Sequence, residues 1–194
     1  MTNILILGAG GSLAAQVIPE LSADENLLLT LFVRRRNRVR AFENHPRIRI
    51  IEGDVLDMHA LTNAMRGQDI VYAGLAGVLE AMARNVATAM ADTGVRRLIW
   101  VSSMGIYGET GEDHGAILKP YRRSAAIIEA SGLDYTILRP AWFTNGSEID
   151  YALTQKGEAF RGSSISRRSL AHFIGKLVRQ PEHHIGESLG LAKC

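Results

Sequence analysis

The sequence predicts an α/β fold, a doubly wound parallel sheet built as a single domain over residues 1–194. Strand-like and helix-like stretches alternate every roughly 20 to 30 residues, as in parallel strands joined by right-handed crossovers. The apolar run Ile4–Leu7 leads directly into the glycine cluster Gly8–Gly11, which is typical of a buried strand followed by a tight turn. Glycine, arginine, aspartate or serine residues that could bind a ligand follow several predicted strands. Because parallel strands have their carboxyl ends at one edge of the sheet, these residues are expected to lie at that edge.

The first predicted turn is a candidate phosphate site. Glycine permits a tight turn, and Ser12 stands where a helix N-cap is expected, before an apolar stripe that begins at Leu13. Free N–H groups and the positive end of the helix dipole favour an anion there. The residues predicted to bind a nucleotide are Gly8, Gly10, Gly11, Ser12 and Leu13; an ordinary strand-to-helix turn is the alternative. Pro19 is expected to kink this helix or end it early.

The second predicted strand, Leu27–Val33, runs into the basic residues Arg34, Arg35 and Arg36. Arg34 lies 20 residues after Ala14, where a dinucleotide fold meets the adenosine ribose. An acidic residue there selects NAD, whereas arginine accommodates the 2′-phosphate of NADP. We therefore predict that Arg34 and Arg35 bind NADP, with NAD as a further possibility. The alternative is a solvated basic face, to which Arg38 and Arg40 are assigned.

Three later strands end in further candidates. Asp54 and Val55 follow the strand Ile48–Ile51, where a carboxylate could accept from an adenine amino group or cap a turn. Small residues follow the strand Asp69–Tyr72 and permit close approach of a ligand; the predicted cofactor contacts there are Ala73, Gly74 and Leu75. A helix ended by Gly94 precedes the strand Leu98–Val101.

Composition narrows the classes of function. The 194 residues carry a net charge of +2, and no aromatic residues interleave with the arginine run, so nucleic acid is not an expected partner. No apolar run of about 18 residues predicts a membrane span. The single cysteine, Cys194, permits no intrachain disulfide and fits a cytoplasmic protein. With one cysteine and the adjacent pair His183 and His184, no metal site is expected.

Several segments together resemble the short-chain dehydrogenase/reductase superfamily, and most closely its atypical, NmrA-like NAD(P)-binding branch. The segments that carry the resemblance are 85–88, 94–103, Ile106–Gly108, 120–129, 131–140 and 165–171. The resemblance implies a Rossmann-like fold with a small C-terminal extension, and a substrate pocket formed by residues 102–118 and 140–194. It also implies that Ser103 and Tyr121 are catalytic, that Pro140 contacts the cofactor near the nicotinamide, and that Tyr107 is structural or lines the pocket.

One departure from that family concerns the chemistry. The family lysine four residues after the tyrosine lowers the phenol pKa, and here that position is Ala125. A free tyrosine titrates near pH 10, and a shift of ~3 units corresponds to about 4 kcal/mol. Ser102 or Ser103 could bond a substrate carbonyl, or satisfy the backbone at a strand end. Trp142 and Phe143 are expected to form a lid, where they stack on a flat substrate or close the core.

These observations leave three functions open. The first is an NAD(P)H-dependent reductase that transfers hydride to a small quinone, flavin or carbonyl acceptor. The second is a catalytically inactive protein that senses NAD(P) and regulates a partner, which the missing lysine favours. The third is a metabolite-binding or scaffold protein that has lost the cofactor. Neither the small-molecule substrate nor the oligomeric state follows from the residues.

Overall fold

The computed structural model describes residues 1–111 and 115–194, and it shows the doubly wound α/β fold. Residues 112–114, part of the segment assigned to the substrate pocket, lie outside the described residues. The strands are β1 Thr2–Leu7, β2 Leu27–Val33, β3 Ile48–Glu52, β4 Ile70–Ala73, β5 Arg97–Val101, β6 Asp134–Pro140, β7 Trp142–Thr144, β8 Ala152–Thr154, β9 Ser164–Ser166 and β10 Glu187–Ala192. The helices are α1 Ala14–Ser22, α2 Met58–Met65, α3 Leu79–Thr93, α4 Lys119–Glu129 and α5 Arg167–Arg179.

The main sheet has the strand order β3-β2-β1-β4-β5-β6-β10-β8. All neighbours are parallel except β8, which runs antiparallel to β10 at one edge. The chain winds outward from β1 to β3, then returns to the other side of β1 and continues from β4. This reversal between β1 and β4 is the point where open α/β sheets bind ligands, at the carboxyl ends of the strands.

Two apolar layers hold the helices to the sheet. On one face, α1 and α5 cover side chains such as Ile4, Ile6 and Leu138; on the other, α2, α3 and α4 cover Leu5, Leu7 and Trp100. Successive strand residues point to opposite faces, so β1 supplies both layers with fully buried residues. This explains why the strands read as continuous apolar runs rather than alternating ones.

Helix α1 corrects the N-cap prediction and one of the two outcomes expected for Pro19. Ser12 is not its N-cap: the cap position is Leu13, whose backbone is already helical and which makes no side-chain cap. The Ser12 hydroxyl instead accepts a hydrogen bond from Arg167. Pro19 does not end the helix, which runs to Ser22. Pro19 and Ala15 both lie on the exposed face, where water can reach the Ala15 carbonyl that loses its helical donor.

A small second sheet forms beyond β6. In it β7 pairs in parallel with β9, and Arg167 begins α5 directly after β9. Trp142 and Phe143 on β7 are 68% and 38% exposed, so they do not close the core. This sheet brings the C-terminal part of the chain to the glycine turn, as the contact between Arg167 and Ser12 shows.

Candidate cofactor site

The turn after β1 is tight because its first residue is glycine. Gly8 has a φ of +78°, and a Cβ atom there would lie 2.1 Å from the Gly74 carbonyl oxygen. The Gly11 N–H donates to Gly8 O, and the Ala15 N–H donates to Gly11 O. The amides of residues 12–14 therefore stand at the open N-terminal end of α1, where helices bind anions.

A cavity of about 560 Å³ lies along the carboxyl edge of β1 to β4. Its lining includes nine residues predicted to bind the cofactor, Gly8, Gly10, Gly11, Arg34, Arg35, Asp54, Val55, Gly74 and Leu75. Such a volume is typical of small-molecule and cofactor sites. Backbone donors at one end and cations at the other match the phosphates of a dinucleotide. The structure therefore joins residues that lie up to 67 positions apart in the sequence.

The basic end of the cavity contains Arg34, Arg35 and Arg38, all exposed to solvent. Arg38 also packs on the glycine turn: a Cβ at Gly10 would lie 3.0 Å from the Cβ of Arg38. Arg38 thus belongs to the cavity lining as well as to the basic face predicted from the sequence. The turn after Arg35 directs the Arg38 side chain back toward the glycine turn that follows β1. Arg40 is exposed and is not among the lining residues.

The opposite wall carries Asp54 and the short segment after β4. Asp54 Oδ1 accepts a hydrogen bond from the Leu56 N–H at 2.9 Å, so this carboxylate forms a local turn while it also lines the cavity. A Cβ at Gly74 would lie 2.5 Å from the hydroxyl of Tyr72, so the segment fits closely only with glycine there. Four lining residues had no distinct sequence signal, namely Phe32, Val33, Gly53 and Met82, whereas Ala76 belongs to the small residues noted after the fourth predicted strand.

Four other predicted cofactor contacts are not among the residues that line the cavity. Ser12 and Leu13 follow the glycine turn at the start of α1. Ala73 is buried as the last residue of β4, and Pro140 is buried at the end of β6, where its carbonyl accepts from the Met104 N–H. Their predicted contacts with a cofactor stay predictions.

The two serines after β5 have different surroundings. The Ser103 hydroxyl donates to the carbonyl of Met104 at 3.1 Å. Ser102 is buried, and its hydroxyl has no hydrogen-bond partner among the described residues. A buried hydroxyl without a partner is costly, which makes the end of β5 a place where an added polar group would be favourable.

Tyr121 and Ala125 are one helical turn apart on α4. Ala125 is fully buried in the apolar layer beneath α4, and Tyr121 packs against the same layer while it is partly exposed. A lysine at position 125 would therefore meet apolar side chains. Nearby Arg122 donates to the carbonyl of Ile106, and Arg123 pairs with Glu80. Within the described ranges, α4 thus keeps these arginines occupied by other partners.

A buried polar network fixes the loop after β5, and sequence reasoning missed it. Arg139 on β6 is fully buried, and its guanidinium binds Glu109 Oε1 at 2.5 Å and Ser188 Oγ at 3.1 Å. The Glu109 carboxylate also accepts from the N–H groups of Gly105 and Tyr107. Burial by itself raises the pKa of Glu109, but these donors and the Arg139 charge hold the net pKa below its usual value.

Tyr107 belongs to the same network. Its hydroxyl donates to Glu129 Oε1 at 2.5 Å and lies 3.1 Å from Ser188 Oγ. Burial, together with the hydrogen bond to the Glu129 carboxylate, raises the pKa of Tyr107 above its ordinary value, so the hydroxyl stays protonated. These contacts give Tyr107 a structural role, which is one of the two roles expected for it.

Residues 1–111 and 115–194 contain no group of three or more His, Cys, Asp or Glu side chains placed to hold a metal ion. None of the helices in these ranges has the length and apolarity needed to cross a membrane.

Solved structures of other proteins resemble this chain over nearly its whole length. A Rossmann-fold NAD(P)-binding family protein from Shigella flexneri is 47% identical, with a TM-score of 0.90 over 100% of this chain and 94% of that one. A short-chain dehydrogenase/reductase from Veillonella parvula, solved in complex with NADP, is 26% identical, with a TM-score of 0.91 over 99% of this chain and 94% of that one.

A curated relative and a family model complete the comparison. The relative is a (4-alkanoyl-5-oxo-2,5-dihydrofuran-3-yl)methyl phosphate reductase from Streptomyces griseus, 30% identical over 144 residues, or 74% of this chain. This chain spans about half, 49%, of that relative's length. The model of the NAD(P)H-binding family matches residues 8–181, which includes the glycine turn, the arginines and α5. The chain therefore belongs to the NAD(P)H-binding family of Rossmann-fold proteins.

Proposed function

We propose that this protein is an NAD(P)H-dependent reductase that prefers NADP(H) and reduces a small quinone, flavin or carbonyl compound. The observation that carries the preference is the basic end of the cavity, which Arg34, Arg35 and Arg38 line just after β2. In dinucleotide folds the adenosine ribose binds near the end of this strand. An NAD-selective site has a carboxylate there to accept from the ribose 2′-hydroxyl. The NADP complex of the Veillonella relative and the reductase name of the Streptomyces relative support the proposal.

The bound cofactor would supply a hydride from C4 of its nicotinamide ring. The glycine turn and α1 would hold the diphosphate, the arginines the 2′-phosphate, and Asp54 the adenine. Ser102 or Ser103, with Tyr121, would orient the acceptor at the end of β5. Because Ala125 supplies no cation to lower the pKa of a phenol, acceptors that need little acid catalysis suit this site best. Quinones and flavins are such acceptors.

The cofactor preference is tested by the dissociation constants of NADPH and NADH for the wild type, Arg34→Ala and Arg40→Ala. Losing a charge-assisted hydrogen bond costs about 1.5–3 kcal/mol, or roughly 10- to 100-fold in affinity. We expect Arg34→Ala to weaken NADPH by that factor and to leave NADH nearly unchanged. Arg40→Ala is the matched control, since it removes an arginine outside the cavity. Equal affinities of the wild type for both dinucleotides would contradict the NADP assignment.

A protein that senses NADPH without turnover is the second candidate. The fully buried Ala125 and the packing of Tyr121 on the apolar layer favour it, because they leave the family's acid without its cation. Oxidation of NADPH by a panel of quinones, flavins and carbonyl compounds separates the two candidates. Turnover that Tyr121→Phe leaves intact for quinones but reduces for carbonyls supports the reductase. Tight NADPH binding without any oxidation supports the sensor.

A protein that has lost the cofactor is the third candidate, and the intact glycine turn disfavours it. Calorimetry with NADPH and NADH decides this point, because a protein of that kind would bind neither dinucleotide.

A further inference from the structure

Arg167 connects the glycine turn to the small second sheet. Its Nε donates to the Ser12 hydroxyl at 3.3 Å, which joins two residues 155 positions apart. Its Nη1 donates to Asn145 Oδ1 at 2.8 Å and to the Thr144 carbonyl at 3.3 Å. The guanidinium carbon lies 4.9 Å from the centre of the Phe143 ring. One side chain thus touches the predicted phosphate turn and the end of β7.

The partners of Arg167 leave its charge without a counter-ion. All three oxygens that it contacts are neutral, and within the described part of the chain no carboxylate lies within 4.0 Å of it. Arg139 and Arg179, by contrast, each pair with a carboxylate. Nη2 of Arg167 has no hydrogen-bond partner among the described residues, so its N–H donors remain available at a partly exposed position. A guanidinium held in this way suits a phosphate, to which Nη2 can donate charge-assisted hydrogen bonds while Nε and Nη1 keep their present partners.

We propose that Arg167 binds the diphosphate of the dinucleotide from the C-terminal side of the glycine turn. This inference rests on the proposed function and names a residue that supplies the charge that the turn lacks, since backbone N–H groups are neutral donors. The contacts of Arg167 with Phe143, Thr144 and Asn145 then fix β7 against the bound cofactor.

The test compares two ligands that differ in the diphosphate. NADPH contains it, whereas 2′-AMP carries the adenosine and the 2′-phosphate but no diphosphate. We expect Arg167→Ala to raise the dissociation constant of NADPH roughly 10- to 100-fold, as for a lost charge-assisted bond, and to leave that of 2′-AMP unchanged. Arg167→Lys should recover part of the NADPH affinity, because it restores the charge but not the planar donor pair. Arg168→Ala, next to it on the exposed side of α5, should change neither constant.

Tryptophan fluorescence gives an independent measure of β7. Trp142 is 68% exposed and Trp100 is 1% exposed, so the difference between the wild type and Trp142→Phe isolates the signal from β7. NADPH should change the Trp142 emission in the wild type and in Arg168→Ala. 2′-AMP should not change it in any variant. In Arg167→Ala saturated with NADPH the change should be lost, because the guanidinium that joins β7 to the diphosphate is absent.

The outcomes separate this inference from the proposed function. Unchanged NADPH affinity in Arg167→Ala would overturn the inference and leave the reductase proposal intact. An equal loss for NADPH and 2′-AMP would also overturn it, because it would show a general effect on folding, which urea unfolding of the variant would report. If wild-type protein bound neither ligand, the proposed function would fail and this inference with it.

Discussion

Arg139 shows how a single buried charge organises the loop beside the candidate active site. Its side chain is fully buried and forms an ion pair with Glu109 of that loop, whose side chain is 4% exposed. Because the same carboxylate accepts two backbone N–H groups, residues 105–109 are folded around it. The pair thus ties the segment after β5 to β6 and β10. A buried ion pair of this kind contributes little to net stability, because burying two charges is itself costly. Removing only one partner is strongly destabilising, since the other is then a buried charge without a counter-ion.

At this scale, Arg139→Met should lower the free energy of unfolding by about 3–5 kcal/mol, as breaking a buried pair leaves the Glu109 carboxylate unpaired. Urea unfolding followed by circular dichroism measures the loss. The double variant Arg139→Met with Glu109→Gln should regain part of it, because the stranded charge is then absent. A loss below about 1 kcal/mol for the single variant, as at a solvated pair, would contradict the buried-pair assignment.

The lowered pKa of Glu109 predicts a pH dependence of stability. The ordinary value is 4.5, and the folded value lies below it, so the unfolded chain binds this proton more tightly than the folded chain. The stabilisation is therefore complete above the unfolded pKa and is lost as the pH falls through the folded pKa. Unfolding free energies measured from pH 7 down to pH 4 should decline less steeply in Glu109→Gln than in the wild type. Glu25→Gln, at an exposed position, should follow the wild-type profile; a slope in Glu109→Gln equal to the wild type would refute the assignment.

At the scale of elements, the turn between β1 and α1 depends on close contact with the turn after β4. Two glycines with similar φ values allow the cost of losing this contact to be distinguished from the cost of a left-handed backbone. Gly8 has a φ of +78° and a Cβ there would meet Gly74 O, whereas Gly67 has a φ of +74° and nothing within 4 Å of such a Cβ. Gly67→Ala should cost about 1 kcal/mol for the left-handed backbone alone. Gly8→Ala should cost more and should abolish NADPH binding, as measured by urea unfolding and calorimetry. Equal costs for the two would show that the contact with Gly74 is unimportant.

The strands and helices of this chain follow local patterns closely enough to be predicted. The strand ends at Val33 and Val101 and the left-handed Gly94 that ends α3 are confirmed. The predicted N-cap of α1, Ser12, was wrong. N-cap rules consider only residues close in the sequence, whereas the Ser12 hydroxyl bonds to Arg167, 155 positions away. The continuation of α1 past Pro19 depends on which helical face is exposed, which tertiary packing decides.

Much of the cavity lining, but not all of it, could be predicted from local motifs. Motifs with a known position relative to a strand end, such as Gly8–Gly11 and Arg34, indicated the lining of the cavity. Residues such as Met82 on α3 or Arg38 reach the cavity through the packing of a whole element, and no local spacing encodes this. The pairing of Arg139 with Glu109 was also missed, since it joins a β-strand to a loop 30 positions away and carries no motif.

At the scale of the whole molecule, a bound dinucleotide would contact the ends of four neighbouring strands, β1 to β4. A ligand that binds the folded chain alone stabilises it by RT ln(1 + [L]/Kd), about 2.7 kcal/mol at 100 times the Kd. For a chain of this size, that corresponds to a rise in Tm of roughly 5–10 °C. We expect thermal unfolding monitored by fluorescence to show such a rise with saturating NADPH and a smaller one with NADH at the same concentration. A larger shift with NADH would contradict the preference that Arg34 supports.

The packing of α5 against α1 has a consequence for how the protein is made. Val17 and Leu21 of α1 are fully buried, and α5 covers their side of the sheet from residues 167–179. At about 5–20 residues per second, a ribosome completes α5 on the order of 10–30 s after α1. During that interval α1 can pack on β1 and β2, but the apolar side chains that α5 later covers stay without that partner. Arg167 arrives with the same helix, so the nascent chain gains this covering layer and the diphosphate contact proposed for Arg167 in one late step.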